Sequence, residues 1–401
     1  MNVGIVTTWF ERGAAYVSRQ FKEILQQKHN IYIYARGGEA YAMNDPNWDS
    51  ESVYWSKRVI SPLVTTYIDK SDFCKWLHSK KIEIVIFNEQ HWFQPILWCK
   101  DKKIKTIAYI DYYNEESIPL FDIYDALICN TKRHKDAFSK HKNAYYLPWG
   151  TNIDLFIPIK NGNKLVNDDF VTFFHSSGIN AKRKGTDILI KSLFYLKGNY
   201  KLIIHTQNDI IKQFPDLKTD VEKLINDKKL DIINRTYPAP GLYHLGDVYV
   251  YPTRLEGIGL TIAESISCGL PCILPDCPPM NEFVNESFSK LVPILKFYSR
   301  KDGYYWPQNE CDTLKLADSM NWFIQYSKKI SSMKINARSH AESCLSYKKN
   351  FESLSSLIND IEFNIPPSLL VDNINKFDLS GIKKINKYFM KMYPIYKLLK
   401  K

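Results

Sequence analysis

No run of about 18 uncharged apolar residues occurs in the 401-residue chain, which excludes a helix that spans a bilayer. No Cys-x-x-Cys pair occurs either. The eight cysteines (Cys74, Cys99, Cys129, Cys268, Cys272, Cys277, Cys311 and Cys344) sit mostly in apolar runs, as reduced thiols of a cytoplasmic protein do, and not in the pattern of a small disulfide framework. Cys268, Cys272 and Cys277 are close together, but without paired ligand spacing, and the last two flank a run that reads as a core strand; no metal site is expected there. The start, Met1-Asn2-Val3-Gly4-Ile5-Val6, lacks a basic segment before its apolar residues and reads as a buried strand, not a signal peptide. Acidic charge is in deficit: Lys plus Arg number 54 against 43 Asp plus Glu, a net +11 that fits an anionic ligand or surface. No nucleic-acid-binding motif accompanies that charge. With 45% hydrophobic and 24% charged residues, the composition excludes a disordered chain, a collagen and a coiled coil.

What the chain has in quantity is aromatic side chains, 14% of residues with 26 Tyr and 9 Trp, and β-branched runs alternating with helical patterns. Strands are predicted over 2–8, 30–34, 83–88, 105–110, 125–130 and 144–147, with helices over 15–27 and 69–79. Pro148, Pro158 and the Asn/Lys/Gly stretch to Asn167 read as a linker. The alternation then restarts: strands over 170–175, 201–205, 247–251 and 271–274, helices over 186–196 and from Leu260, and a helical stretch over 313–363 ended by Pro366-Pro367. Strands alternating with helices imply crossovers and a parallel sheet. The expected fold is therefore α/β, two Rossmann-like doubly wound domains facing across a cleft, with a helical C-terminal extension. The boundaries are an N-terminal domain 1–150, a linker 151–168, a second domain 169–345 and a C-terminal segment 346–401. Residues 383–401 carry seven lysines, no acid, and interleaved Ile, Leu, Tyr, Phe and Met, a basic amphipathic pattern broken at Pro394. It fits an anionic membrane surface, hence a peripheral location, and equally a packed helix with a solvated lysine face.

The most informative run is Tyr251 to Glu264, YPTRLEGIGLTIAE. A strand ends, two glycines bracket one residue, and a helix begins. Glycine lets the backbone approach a ligand closely, and a helix N-terminus favours a phosphate. Glu264, early in that helix, can accept two hydrogen bonds from a ribose diol. Glu256, before the turn, would lie on the other side of the phosphates. E-G-x-G-x-x-x-x-E arises by chance in about 1% of chains this long. The alternative for each glutamate is a solvated face, and for Gly-x-Gly an ordinary turn.

Residues 256–273 (EGIGLTIAESISCGLPCI) resemble the E-x7-E signature of GT-B glycosyltransferases, in particular retaining enzymes of glycosyltransferase family 4, whose usual form is EGFGLxxxEAMAxGxPVIA. The resemblance continues in 147–156 (LPWGTNIDLF), in Cys129-Asn130-Thr131 and in 245–253 (LGDVYVYPT), and ends near residue 365. It implies that Glu264 holds the donor ribose, that Glu256 meets hydroxyls of the donor sugar, and that Gly257, Ile258, Gly259, Leu260 and Thr261 lie along the sugar and phosphates. The family's second donor element, Arg followed by Lys-Gly, corresponds to 175–185 (HSSGINAKRKG): Lys184-Gly185 matches, the usual Arg position is Gly178, and Arg183 or Lys182 is left to meet the diphosphate with Lys184. Gly13 stands in the glycine-containing loop after the first strand. Where the family has a histidine near the reaction centre, this chain has Asp111, able to bind a hydroxyl or simply to cap a turn. Trp9, Glu89, His91, Trp92, Tyr112 and Tyr113 fall on the expected acceptor side, and an aromatic loop, 297–310, on the donor side; core packing is the alternative for each.

Loss of a nucleoside diphosphate needs its growing charge to be met. The Asp-x-Asp motif, by which the other large glycosyltransferase fold binds metal, is absent, so Arg183, Lys184 and the helix N-terminus at Leu260 are expected to serve without metal or cofactor. The expected activity is transfer of a hexose from a UDP- or GDP-sugar to a glycan or lipid-linked glycan, with retention, in surface polysaccharide synthesis. An inverting route would need a base, for which Asp111 is the candidate. A silent nucleotide-sugar binder, and a GT-B epimerase or phosphorylase, are the alternatives.

Overall fold

The computed structural model describes residues 1–36, 42–57, 66–159 and 170–379. Most of the polar end of the expected linker (160–168) and the basic stretch 383–401, with its proposed membrane contact, lie outside those residues. The first series of elements is β1 (Asn2–Thr7), α1 (Gly13–Leu25), β2 (Asn30–Ala35), β3 (Val53–Trp55), α2 (Lys70–Ser79), β4 (Ile84–Asn88), α3 (Gln94–Asp101), β5 (Lys105–Tyr109), β6 (Ala126–Cys129), α4 (Lys132–Ala137) and β7 (Ala144–Tyr146). The second is β8 (Phe170–Gly178), α5 (Thr186–Ser192), β9 (Asn199–Thr206), α6 (Ile210–Gln213), α7 (Lys218–Asn226), β10 (Leu230–Asn234), β11 (Val248–Val250), α8 (Leu260–Ser267), β12 (Cys272–Pro275), β13 (Ser289–Val292), β14 (Ile294–Tyr298) and β15 (Gln308–Cys311). Helices α9 (Thr313–Gln325), α10 (Ile330–Cys344), α11 (Tyr347–Asn350) and α12 (Leu354–Asp360) follow, and residues 368–379 are helical. No described helix is long and apolar enough to cross a membrane.

The chain folds as two units, one of Met1–Asn130, His134–Leu147 and the residues from Phe351 on, the other of Thr131–Arg133 and Pro148–Asn350. In the first, seven parallel strands run in the order β3-β2-β1-β4-β5-β6-β7. The chain winds outward from β1 to β3, then crosses back to place β4 on the other side of β1. The loops after β1 and β4 therefore diverge, which opens a crevice at the strands' carboxyl ends. The central strands are covered on both faces: every residue of β4 is buried, and Ile5, Val85 and Ile107 have no exposure. Asn88, the last residue of β4, donates to Ala14 O and to Ser18 Oγ at 2.8 Å each, which pins the β4 end to the start of α1. The final helix belongs to this unit, where Asp378 accepts from Gln94 Nε2 at 3.0 Å and from Phe93 N at 3.4 Å.

In the second unit six parallel strands run β10-β9-β8-β11-β12-β13. Its switch point lies between β8 and β11. An antiparallel hairpin, β14–β15, sits between β13 and α9.

The structure corrects the sequence reading in several places. Strand β8 continues past His175, because Ser176 and Gly178 still pair with β9 across a register shift. The helix expected over 186–196 stops at Ser192 and tightens into a 3₁₀ turn over Leu193–Tyr195. The helix expected over 15–27 starts at Gly13 and ends at Leu25. The continuous stretch 313–363 is broken into α9 to α12, since Tyr326 leaves helical geometry (φ −112°, ψ 37°) and Ser346 bridges to Thr151. Strands β3, β10 and β13 were not expected, and the aromatic loop 297–310 takes in the ends of two further strands, β14 and β15, with residues 299–307 as the loop between them.

Candidate donor site

The loops that leave β8 and β11 at the switch point are laced together. Buried His175, on β8, bridges Val250 O with Nδ1 and Thr186 Oγ1 with Nε2, both at 2.8 Å. Burial lowers its pKa to about 4, so the ring stays neutral and fixed. In the β8 loop Asn180 Oδ1 accepts from Arg183 N at 2.9 Å, a local turn that presents Arg183 and Lys184 together. Gly185 follows with φ +71°, and a Cβ there would lie 1.9 Å from Pro252 O. Only glycine lets the two loops meet so closely, and Arg254 N donates to Arg183 O at 2.7 Å across the same contact.

That contact brings Glu256 to the two cations. Its Oε1 accepts from Lys184 Nζ at 2.7 Å, Thr253 Oγ1 at 2.8 Å and Tyr251 Oη at 2.9 Å, while Arg183 Nη1 lies 3.6 Å from Oε2. Burial alone would raise the Glu256 carboxyl, but Lys184 and Arg183 outweigh it and hold the pKa down to about 2. For Lys184 burial wins instead: it lowers the ammonium to about 8 in spite of Glu256. Arg183, held charged by Glu256, keeps 38% of its side chain in solvent. One carboxylate thus faces two cations, and the excess charge is positive.

Past Glu256, Gly257 faces open space: no atom lies within 4 Å of where its Cβ would be. Ile258 is half-buried. Gly259 caps α8 in the left-handed region (φ 68°, ψ 44°), and Leu260 and Thr261 open the helix. The first N–H groups of a helix have no partner within it and carry its positive end. Glu264, in the second turn, is half-buried and accepts from Tyr243 Oη at 2.6 Å. Burial raises its carboxyl, with Tyr243 and Lys184 opposing. The expected residues Arg183, Lys184, Glu256, Gly257, Ile258, Gly259, Leu260, Thr261 and Glu264 are therefore gathered on two loops and one helix start. Lys182 is exposed, and its carbonyl accepts from Arg254 Nη1.

In the first unit, Gly13 begins α1. Glu89 follows β4 in left-handed geometry (φ 55°), and Arg36 Nη1 holds the strand end by donating to Asn88 O at 2.8 Å. Burial and Asp111 both raise the Glu89 carboxyl, against Arg12, Arg36 and His91. His91 Nε2 lies 3.8 Å from Asp111 Oδ2, and its ring lies 4.9 Å from that of Tyr112. Glu89, His91, Asp111 and Tyr112 thus form one group at the ends of β4 and β5. Trp9 does not join them: the residue is 2% exposed, and its ring meets that of Trp48 edge-on at 5.4 Å and donates to Trp48 O. Tyr113 is likewise buried, bonded to His134. All eight cysteines are free thiols, and among the described residues no group of three His, Cys, Asp or Glu is placed to hold a metal ion.

Sequence reasoning missed Tyr243, Tyr251, Thr253 and Arg254. The last three lie inside the quoted motif, in YPTRLEG, where the tyrosine and threonine hydroxyls were legible as donors for a neighbouring carboxylate. Tyr243 carried no local signal.

Residues 160–340 match the model of the family Glycosyl transferases group 1. The fold is that of GT-B proteins: a sucrose-phosphate synthase from Thermosynechococcus elongatus superposes with a TM-score of 0.68 at 15% identity, over 90% of this chain and 98% of that one. The Anabaena protein HepE, solved with UDP and glucose, gives 0.65 at 12% identity, over 90% and 99%. An uncharacterized glycosyltransferase of Sulfolobus islandicus rod-shaped virus 1 is 24% identical over 127 residues, 27% of this chain, and the match spans 38% of that relative.

Proposed function

We propose, for a GT-B chain whose residues 160–340 match glycosyl transferases group 1, that it moves a hexose from a nucleoside diphosphate sugar to a glycan or lipid-linked glycan acceptor. The observation that carries this reading is the Glu256–Lys184–Arg183 cluster beside the open face of Gly257 and the start of α8. A diphosphate laid there meets two cations and a helix N-terminus, and its ribose comes within reach of Glu264. HepE was solved with UDP, and a UDP-sugar is the first donor to test.

Transfer breaks the bond between the anomeric carbon and the β-phosphate oxygen, which keeps the electron pair. Arg183, Lys184 and the α8 N-terminus meet the new charge. We take the acceptor oxygen to attack from the same face and to pass its proton to the departing diphosphate, so the configuration is retained and no side chain serves as base. Glu89, His91, Asp111 and Tyr112 are the candidates for acceptor hydroxyls. The resemblance favours surface polysaccharide synthesis at the cytoplasmic side of a membrane.

The test is release of nucleoside diphosphate from UDP- and GDP-hexoses, with and without glycan acceptors, with the anomer of the product read by NMR. We expect acceptor-dependent release, a retained configuration, no loss in EDTA, and a fall of about 10²-fold or more in Glu256→Gln. Binding without release from any donor would replace transfer by nucleotide-sugar sensing, and an inverted product would make Asp111 the base.

A further inference from the structure

Arg254 has no part in the function just proposed, yet it is more heavily bonded than any cation in that function. Its side chain is 6% exposed. Nη1 and Nη2 grip Asp187 Oδ1 and Oδ2 at 2.6 and 2.7 Å, and Nη1 also donates to Lys182 O at 2.5 Å. Its backbone N–H donates to Arg183 O at 2.7 Å, and its carbonyl accepts from both Asn309 N and Asn309 Nδ2, at 2.9 and 2.8 Å. Glu310 Oε2 lies 3.6 Å away. Three pieces of the unit therefore converge on one residue: the first turn of α5, the loop that carries Arg183 and Lys184, and the β14–β15 hairpin.

The hairpin itself asks for an explanation. A strand-to-helix connection in an α/β fold usually takes about 2–6 residues. Here the chain passes from Val292 to Thr313 by way of two extra strands. The inward residue of the second, Asn309, is 2% exposed and spends both its backbone and side-chain donors on Arg254 O. A buried guanidinium gripped at both carboxylate oxygens is geometrically specific in a way that a lysine is not.

We propose that Arg254 is a positioning residue of the diphosphate site, braced by the β14–β15 hairpin, which sets the height of the Arg183–Lys184 loop against Glu256. Arg254 does not itself touch the donor. The inference rests on the donor reading above.

The test compares nucleoside diphosphates with their nucleosides. UDP, GDP and ADP are titrated calorimetrically into the full chain, and uridine, guanosine and adenosine binding is read by saturation-transfer NMR. Arg254→Lys keeps the charge and loses the fork. We expect it to weaken the preferred diphosphate about tenfold, while the matching nucleoside, held at Glu264, stays within about twofold. Asn309→Ala, which removes one brace, should shift the same ratio in the same direction by less, and it decides the matter alone if Arg254→Lys does not fold. An unchanged diphosphate affinity overturns the inference, and so does an equal loss for nucleoside and diphosphate, which marks a merely structural role. If the wild-type chain binds no nucleoside diphosphate, the donor reading falls, and the inference with it; that result is read on the wild type alone and is distinct from the other two.

Discussion

Glu256→Gln should destabilise the protein at neutral pH by an amount the structure allows one to work out. The carboxyl is held at about 2 against an ordinary 4.5, through Lys184 at 2.7 Å and Arg183 at 3.6 Å. At about 1.4 kcal/mol per unit this amounts to roughly 3 kcal/mol. The Glu256 side chain is only 8% exposed, so solvent screens little of it. The loss agrees in size with the roughly 3–5 kcal/mol that follows removal of one partner from a buried pair. Glutamine keeps an oxygen for Thr253 and Tyr251, so the deficit reports the charge and not the volume. In a unit of this size it lowers the melting temperature by roughly 6–12 °C. The sign with pH follows from linkage. The folded pKa lies below the unfolded one, so the stabilisation is complete above about pH 4.5 and fades as the pH falls toward about 2. Urea unfolding of both proteins at pH 7 and at stepped lower pH should show the gap narrowing across that window. Adding Lys184→Met should restore part of the loss, because fewer uncompensated charges are then buried. A gap below about 0.5 kcal/mol, within the range of ordinary surface substitutions, or one that does not change with pH, would refute the electrostatic account of the cluster.

Two of the site's glycines, Gly185 and Gly257, should separate cleanly. Gly185→Ala drives a Cβ to 1.9 Å from Pro252 O at φ +71°, and should cost more than about 2 kcal/mol in unfolding measurements. Gly257→Ala enters open space, and should leave stability within about 0.5 kcal/mol while weakening diphosphate binding in calorimetry. Lys184, lowered by burial to about 8, should make diphosphate affinity fall as the pH rises through that value, as titrations from pH 6.5 to 9.5 would show. Its effect on stability has the opposite sign: the folded state sheds this proton first, so the cost of burying the ammonium is relieved between about pH 8 and the ordinary 10.5.

Much of this was legible in the order of residues. The run from Tyr251 to Glu264 keeps strand end, turn and helix in one local stretch, so its geometry follows from spacing, and Gly259 and Leu260 stand at the helix start where that spacing put them. The alternation of strands and helices gave two parallel sheets because central strands such as β4 are buried on both faces and read as unbroken apolar runs. Strands β3, β10 and β13, which escaped notice in the two parallel sheets, all lie at sheet edges, where residues are partly exposed and no apolar run is required. The pairing of Glu256 with Lys184, 72 residues apart, and the bonds from Arg254 to Asp187 and Asn309 exist only once both loops are folded. Trp9 shows the reverse limit: a tryptophan beside a strand end looks like a sugar platform until Trp48 is found against it.

The central claim, that Glu256, Lys184, Arg183 and Glu264 hold a nucleoside diphosphate, is tested most directly by thermal shift with UDP, GDP and ADP on the wild-type chain and on Glu264→Ala. A ligand at a hundred times its dissociation constant stabilises the folded state by about 2.7 kcal/mol. The melting temperature should rise selectively with one nucleotide, and Glu264→Ala should abolish the rise. No shift with any of the three at millimolar concentration, or a shift that Glu264→Ala leaves intact, would contradict it.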